Sequence, residues 1–380
     1  MLLMTPGPVA VDERVIRAMN RPAIAHYHPE YFEVFNETTE MLKSIFGTSG
    51  DVIILPGSGR VGMEASIVSI ADPGDRILCI VSGTFGRWFV QIAERAKCEV
   101  KILEGKWGGA INPEEVEKIL KEEEFKAVTV VHSETSTGAR NPIETIGRIC
   151  KGHDVLCIVD AISSVGCMHL DMGKMNIDLC VSASQKGIGG IVGLALVGVS
   201  ERAYKVMEEK KEICQSFALD LRRWRDQFFG HDYPRPYPVI PSTHLVYALE
   251  EACKLIVEEG LENRLSRCCK VAQAVRKAIK ALGLELFPEE EIASDSLTAV
   301  KPPEGISESD IIRTMREKYG VMVGGSVFEL KGKLFRISHM GVQASMNYLI
   351  PTLAALERTL VDLGYKVEFG RGVGTLIQGI

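Results

Sequence analysis

DVIILPGSGRVGMEASIVSIADPGDRILCIVSG, residues 51–83, decides the fold class. The apolar run DVIILP (51–56) reads as a buried strand and runs into the glycine-rich GSGRVG (57–62). A helix, MEASIVSIA, follows and stops at the turn Asp72-Pro73-Gly74-Asp75, after which RILCIVSG (76–83) is a second strand. Strands that are apolar throughout, alternating with helices, belong to a mainly parallel sheet covered on both faces. In such sheets ligands sit at the carboxyl ends of the strands. Gly57-Ser58-Gly59-Arg60 lies at one such end. Glycines let the backbone approach an anion, and a helix N-terminus offers free N–H groups and a positive dipole end. The same residues also suit a plain tight turn.

The alternation continues in both directions. A helix over 30–46 stops at Gly47, followed downstream by a helix over 85–96, a strand over 99–105 and a helix over 113–123 with Asn112 as its cap and Pro113 at its first position. Strands are predicted at 127–132, 155–161, 179–184 and 193–200, with a helix over 142–153. After about residue 260 the texture changes to long helices (262–282, 308–319, 343–363) interleaved with the short strands SLTAV, GVMVGG and LFRISH. Ser307 and Asp310 resemble a capping box before IIRTMREKYG. The expected organisation is α/β: a large domain over 1–258, with an N-terminal arm over 1–15, and a smaller α+β domain over 259–380. The stretch after Gly364 lies beyond the last expected helix and receives no role.

At 380 residues, 46% hydrophobic and 25% charged, the chain is long enough for a large core plus a satellite domain. A net charge of -6 gives no support for a nucleic-acid surface. No apolar run approaches the roughly 18 residues that span a bilayer. MLLMTPGPVA lacks a basic n-region and a long enough h-region for a signal peptide, and LIQGI is not a peroxisomal address, so the expected location is the cytoplasm. Ten cysteines lie mostly inside apolar stretches such as RILCIV and VLCIVD, without a C-x-x-C pair or a neighbouring His cluster. They read as buried reduced thiols rather than as disulfides or metal ligands.

Three further residues carry chemistry. Asp160 ends the apolar strand CIVDA, where a buried carboxylate needs a partner or serves as a turn aspartate. Lys186 stands in SASQKGIGG among small neighbours; desolvated, its amine becomes a nucleophile, and the alternative is a surface-loop lysine. Arg336, in the short strand LFRISH, either pairs with an acid or forks onto a substrate carboxylate.

Together these residues resemble the fold-type I pyridoxal-phosphate (PLP) enzymes, specifically the class V aminotransferases of the alanine–glyoxylate/serine–pyruvate group. The resemblance runs through TPGPVAV (5–11), PGSGRVGMEA (56–65), SGTFGRW (82–88), HSETSTG (132–138), VDAISSVG (159–166), SASQKG (182–187) and FRISHMG (335–341). It implies that Lys186 holds the cofactor as a Schiff base and moves a proton between the substrate Cα and the cofactor C4′. It implies that Asp160 pairs with the pyridinium nitrogen, that Ser58, Gly59, Arg60 and Gln185 serve the phosphate, and that Phe85 stacks on the ring. Thr135 would hydrogen-bond the ring side, Arg336 would clamp the α-carboxylate, and Tyr237 would reach the partner subunit's phosphate in a homodimer. The chain departs from the pattern where relatives place a phosphate-contacting threonine: Ile240 stands there, with Thr243 a substitute nearby. It also carries Gly190-Ile191-Val192-Gly193 where relatives often have Pro-Pro-Gly.

The implied activity is a ping-pong amino transfer from alanine or serine to glyoxylate or pyruvate. Aminoethylphosphonate transaminases share much of the VHSETSTG and VDAISSVG texture and are the nearest rival. Cysteine desulfurases need a nucleophilic cysteine shortly before the substrate arginine, and GGSVFELKGKLFR (324–336) has none. A non-catalytic scaffold of the same fold would normally have lost the lysine or the aspartate.

Overall fold

A computed structural model describes residues 1–229 and 237–380. From the N-terminus run β1 (Leu2–Met4), α1 (Glu13–Ala18), α2 (Pro29–Phe46), β2 (Asp51–Pro56), α3 (Gly59–Ile70), β3 (Arg76–Val81), α4 (Thr84–Arg95) and β4 (Glu99–Glu104). There follow α5 (Pro113–Glu122), β5 (Ala127–Val131), the two-residue β6 (Ser133–Glu134) and β7 (Ala139–Arg140), α6 (Ile143–Gly152), β8 (Leu156–Asp160), β9 (Leu179–Ala183) and β10 (Leu194–Val199). The helices α7 (Glu201–Glu208), α8 (Leu221–Trp224), α9 (Thr243–Glu259) and α10 (Leu261–Ala281) lead to β11 (Leu297–Val300), α11 (Glu308–Tyr319), β12 (Val321–Val323), β13 (Phe335–Ser338), α12 (Met346–Asp362) and α13 (Arg371–Gly379).

The large sheet has the order β2-β10-β9-β8-β5-β3-β4. The pairs β9–β8, β8–β5, β5–β3 and β3–β4 are parallel, while β10 runs antiparallel to both β9 and β2. Side chains on a strand alternate between faces, so both faces need a cover. Val52 and Ile54 of β2 pack with α2, α6 and α9, whereas Ile53 and Leu55 pack with α3, α4 and α7. The fully apolar strands of the sequence are the direct result.

A third core lies under α10, α11, α12 and α13, and includes Met4 and Val9. β1 pairs in parallel with β12, so the first residues of the N-terminal arm join the C-terminal layer. The caps follow the sequence: Asn112 accepts from the Glu114 amide at 3.1 Å, and Ser307 Oγ from the Asp310 amide at 3.1 Å. The stretch after Gly364 folds into α13, which the sequence did not suggest. Glu357 of α12 accepts hydrogen bonds from the amides of Gly370, Gly372 and Val373 and so caps that helix. All ten cysteines are free; eight are buried, while Cys214 and Cys269 are partly exposed. Among the described residues no helix is long and apolar enough to cross a membrane.

Candidate active site

The carboxyl ends of β2, β5, β8 and β9 surround a cavity of about 280 Å³. Ser58, Gly59 and Arg60 border it from the start of α3, Phe85 and Trp88 from α4, and Thr135 from the turn after β6. Asp160, Gln185 and Lys186 complete the wall with Ser133, Ile162, Ser163 and Val192. Eight of the ten residues expected at the site thus share one cavity.

Lys186 follows β9 on the turn SQKGIG. Its Nζ donates to the Pro6 carbonyl at 2.5 Å, which places the N-terminal arm over the amine. Gly7 lies against the same side chain: a Cβ there would stand 2.2 Å from Nζ, and its φ of +145° suits glycine. Burial pulls the amine from its ordinary 10.5 down to about 8; Arg336 adds to that shift, and Asp160 and Glu134 oppose it. Part of the side chain nevertheless opens into the cavity. Such an amine is partly neutral near pH 7, the state a nucleophile or proton acceptor needs.

Asp160 ends β8 and is 4% exposed, with Oδ1 accepting from the Ile162 amide at 2.9 Å. Desolvation pushes its carboxyl up to about 7 against that hydrogen bond, with Glu134 adding to the rise and Lys186 opposing it. A buried carboxylate in this condition gains from a cation brought into the cavity beside it. Gln185 Oε1 is likewise buried, without a hydrogen-bond partner among the described residues. Ser58 stands at the N-cap of α3 but makes no side-chain cap bond, which leaves the helix start open. A Cβ on Gly59 would come within 2.3 Å of Ile162, so the chain there must stay bare. An open helix N-terminus, an orphaned amide oxygen, an aromatic wall and a cation-seeking carboxylate opposite a lysine amine fit a phosphorylated aromatic aldehyde with a basic ring nitrogen.

Arg336 does not border the cavity. It is 7% exposed on β13; Nε and Nη2 donate to the Gly325 carbonyl, and Nη1 to the Thr135 carbonyl at 2.8 Å. Among the described residues no carboxylate lies within 4 Å of its guanidinium. Burial lowers it to about 10, with Glu134 and Glu308 opposing. Tyr237 is also absent from the cavity. Its hydroxyl donates to the His26 carbonyl at 3.3 Å, and its ring stacks on Phe32. Ile240 is 58% exposed and Thr243 begins α9; neither lines the cavity.

Sequence reasoning missed Glu134, Trp88 and the Pro6-Gly7 pair. Glu134 is fully buried, and its carboxylate accepts from the amides of Phe85, Gly86 and Ser136 and from the Ser136 hydroxyl. It holds the start of α4, and with it Phe85, against the cavity. Desolvation raises its pKa, and these hydrogen bonds oppose the rise. Its signal was an acid inside the small-residue turn HSETSTG. Trp88 meets Phe85 edge-on at 4.7 Å and carries the Arg60 guanidinium over its ring at 4.4 Å.

This fold, with its site at the strand ends, is that of the fold-type I PLP enzymes, and the protein is an aminotransferase that uses pyridoxal 5′-phosphate. The crystal structure of ureidoglycine–glyoxylate aminotransferase from Bacillus subtilis superposes with a TM-score of 0.95 at 32% identity, covering 99% of this chain and 97% of that one. The chain belongs to the class-V aminotransferase family, whose model matches residues 13–346. An uncharacterized aminotransferase of Methanocaldococcus jannaschii is 41% identical over 97% of this chain and 94% of its own length. The serine–glyoxylate aminotransferase of Methylorubrum extorquens is 33% identical over 98% of this chain and 94% of its own.

Proposed function

We propose that this enzyme moves the amino group of alanine or serine to glyoxylate or pyruvate in a ping-pong cycle. The observation that carries the reading is Arg336: a buried guanidinium just behind the cavity wall, bonded to the carbonyl of the lining residue Thr135 and to that of Gly325, close enough to act on the Lys186 amine, and without a carboxylate partner among the described residues. Every amino acid and 2-oxo acid in such a cycle brings the fork-shaped anion that this group lacks. Relatives that act on serine and ureidoglycine with glyoxylate support the same substrate class.

When bound, the cofactor supplies an electron sink for the carbanion at the substrate Cα. Lys186 would hold it covalently and, when free, its amine would serve as the base that moves the proton. Asp160 would keep a negative charge beside the ring nitrogen. Phe85 would cover the ring, Thr135 would hydrogen-bond its edge, and Ser58, Gly59, Arg60 and Gln185 would hold the phosphate. Tyr237 would serve the partner's phosphate, which makes the unit a homodimer; that it does not line the cavity of its own chain supports that reading. The division at 258/259 and a cytoplasmic location belong to the same proposal, the latter supported by ten unpaired cysteines.

Purified protein offered a panel of amino donors against glyoxylate and pyruvate tests the reading. Alanine or serine should lead. Faster transfer from aminoethylphosphonate, which has no carboxylate for Arg336, would refute it.

A further inference from the structure

Phe328 is unlike the other aromatic side chains around the site. It is 65% exposed, and its backbone has φ +49°, a left-handed conformation that a bulky residue rarely adopts. Such strain persists only where the surroundings impose it, and it gathers at ligand-handling positions. Here the surroundings do impose it. Glu308, buried on α11, accepts from the Ser326 amide, from the Ser326 hydroxyl at 2.8 Å and from the Gly332 amide at 2.8 Å. Both ends of the 326–332 loop are therefore held by one carboxylate. Leu330, two residues on in the same 3₁₀ turn, is 2% exposed and packs with Leu297, Ala299 and Leu334. An anchored turn that buries Leu330 and strains its backbone to turn Phe328 outward is no floppy loop.

The exposed ring reaches the rim of the site through Trp88. Phe328 lies edge-on to Trp88, with centroids 6.5 Å apart and planes at 82°, and Trp88 lines the cavity. The base of the same loop supplies the Gly325 carbonyl that holds Arg336. The cavity of about 280 Å³ is at the small end for a ligand site and must accommodate the cofactor as well.

We propose that Phe328, set by the Glu308-clamped loop, closes the mouth of the cavity against Trp88 and sets the upper size of the substrate side chain. It admits alanine- and serine-sized donors and rejects bulky apolar ones. This rests on the aminotransferase reading above and adds to it a residue that determines specificity.

The test compares wild type with Phe328→Gly and Phe328→Leu as holoenzymes. Glycine removes the ring and accepts the left-handed backbone, so its melting temperature should not fall. The ratio of kcat/KM for leucine or phenylalanine to that for alanine should rise about tenfold or more in Phe328→Gly, with Phe328→Leu between. Calorimetric titration with propionate and 3-phenylpropionate reads binding without turnover. Phe328→Gly should tighten 3-phenylpropionate and leave propionate unchanged. An unchanged donor ratio together with unchanged 3-phenylpropionate binding would overturn the proposal. If the wild type transaminates no amino acid but the carboxylate series shifts as stated, the functional reading fails and the gate stands.

Discussion

Replacing Arg336 with lysine keeps the charge and removes the fork. A guanidinium has five N–H donors. Three are spent here, two on the Gly325 carbonyl and one on the Thr135 carbonyl, which leaves one on each terminal nitrogen for a bidentate carboxylate. An ammonium has three donors around a single point and cannot serve two fixed carbonyls and a two-oxygen anion together. At least one charge-assisted bond to substrate is lost, about 2–3 kcal/mol. That corresponds to a fall in kcat/KM of about 30- to 160-fold. The loss should appear in both half-reactions, because amino acid and oxo acid present the same carboxylate. Single-turnover absorbance measurements with alanine and with glyoxylate read each half separately, and cofactor content should stay at the wild-type level. If both half-reactions of Arg336→Lys remain near wild-type rates, the carboxylate is held elsewhere.

Asp160→Ala should retain measurable cofactor but lose turnover by orders of magnitude, with absorbance titration and steady-state rates as the readout. In the cofactor-free protein the folded Asp160 carboxyl, raised to about 7, holds its proton more tightly than the unfolded one at 3.8. Its contribution is therefore intact below about pH 4 and is lost as pH rises through 7, up to about 4 kcal/mol. Urea unfolding should show that slope in wild type and a flatter one in Asp160→Asn; equal slopes would refute the assignment. Gly7→Ala places a Cβ 2.2 Å from Lys186 Nζ and should sharply reduce cofactor uptake, whereas Gly305→Ala, with nothing within 4 Å, should cost only about 1 kcal/mol of stability. Glu357→Ala removes the acceptor of three amides and should cost about 2–4 kcal/mol, with hydrogen exchange rising first in 366–380. Sedimentation at assay concentration should find a dimer; a fully active monomer would contradict the role of Tyr237.

Much of this architecture is legible because a sheet covered on both faces demands strands that are apolar throughout. DVIILP, RILCIV and VLCIVD could be placed to within a residue or two for that reason. Asp160 and Lys186 stood out as charged groups at the ends of such strands. The direction of β10 was not read, although its signal was present: only residues 184–193 separate β9 from β10, with no helix to return the chain for a parallel pairing. Strand order was illegible, since it depends on contacts between distant segments. Glu134 escaped notice because its role comes from amides of α4, some fifty positions earlier in the chain. α13 escaped because RGVGTLIQG is a poor helix former by composition. Its stability comes from packing on α10 and from the buried Glu357 cap.

The central claim is that the amine of Lys186 is the group that binds pyridoxal phosphate. Borohydride reduction of the yellow holoenzyme, followed by proteolysis and mass spectrometry, tests it directly. The visible band should be lost and a single phosphopyridoxyl label should appear on the peptide carrying SASQKGIGG, absent from Lys186→Ala. A label on any other lysine, or unreduced visible absorbance in that variant, would contradict it.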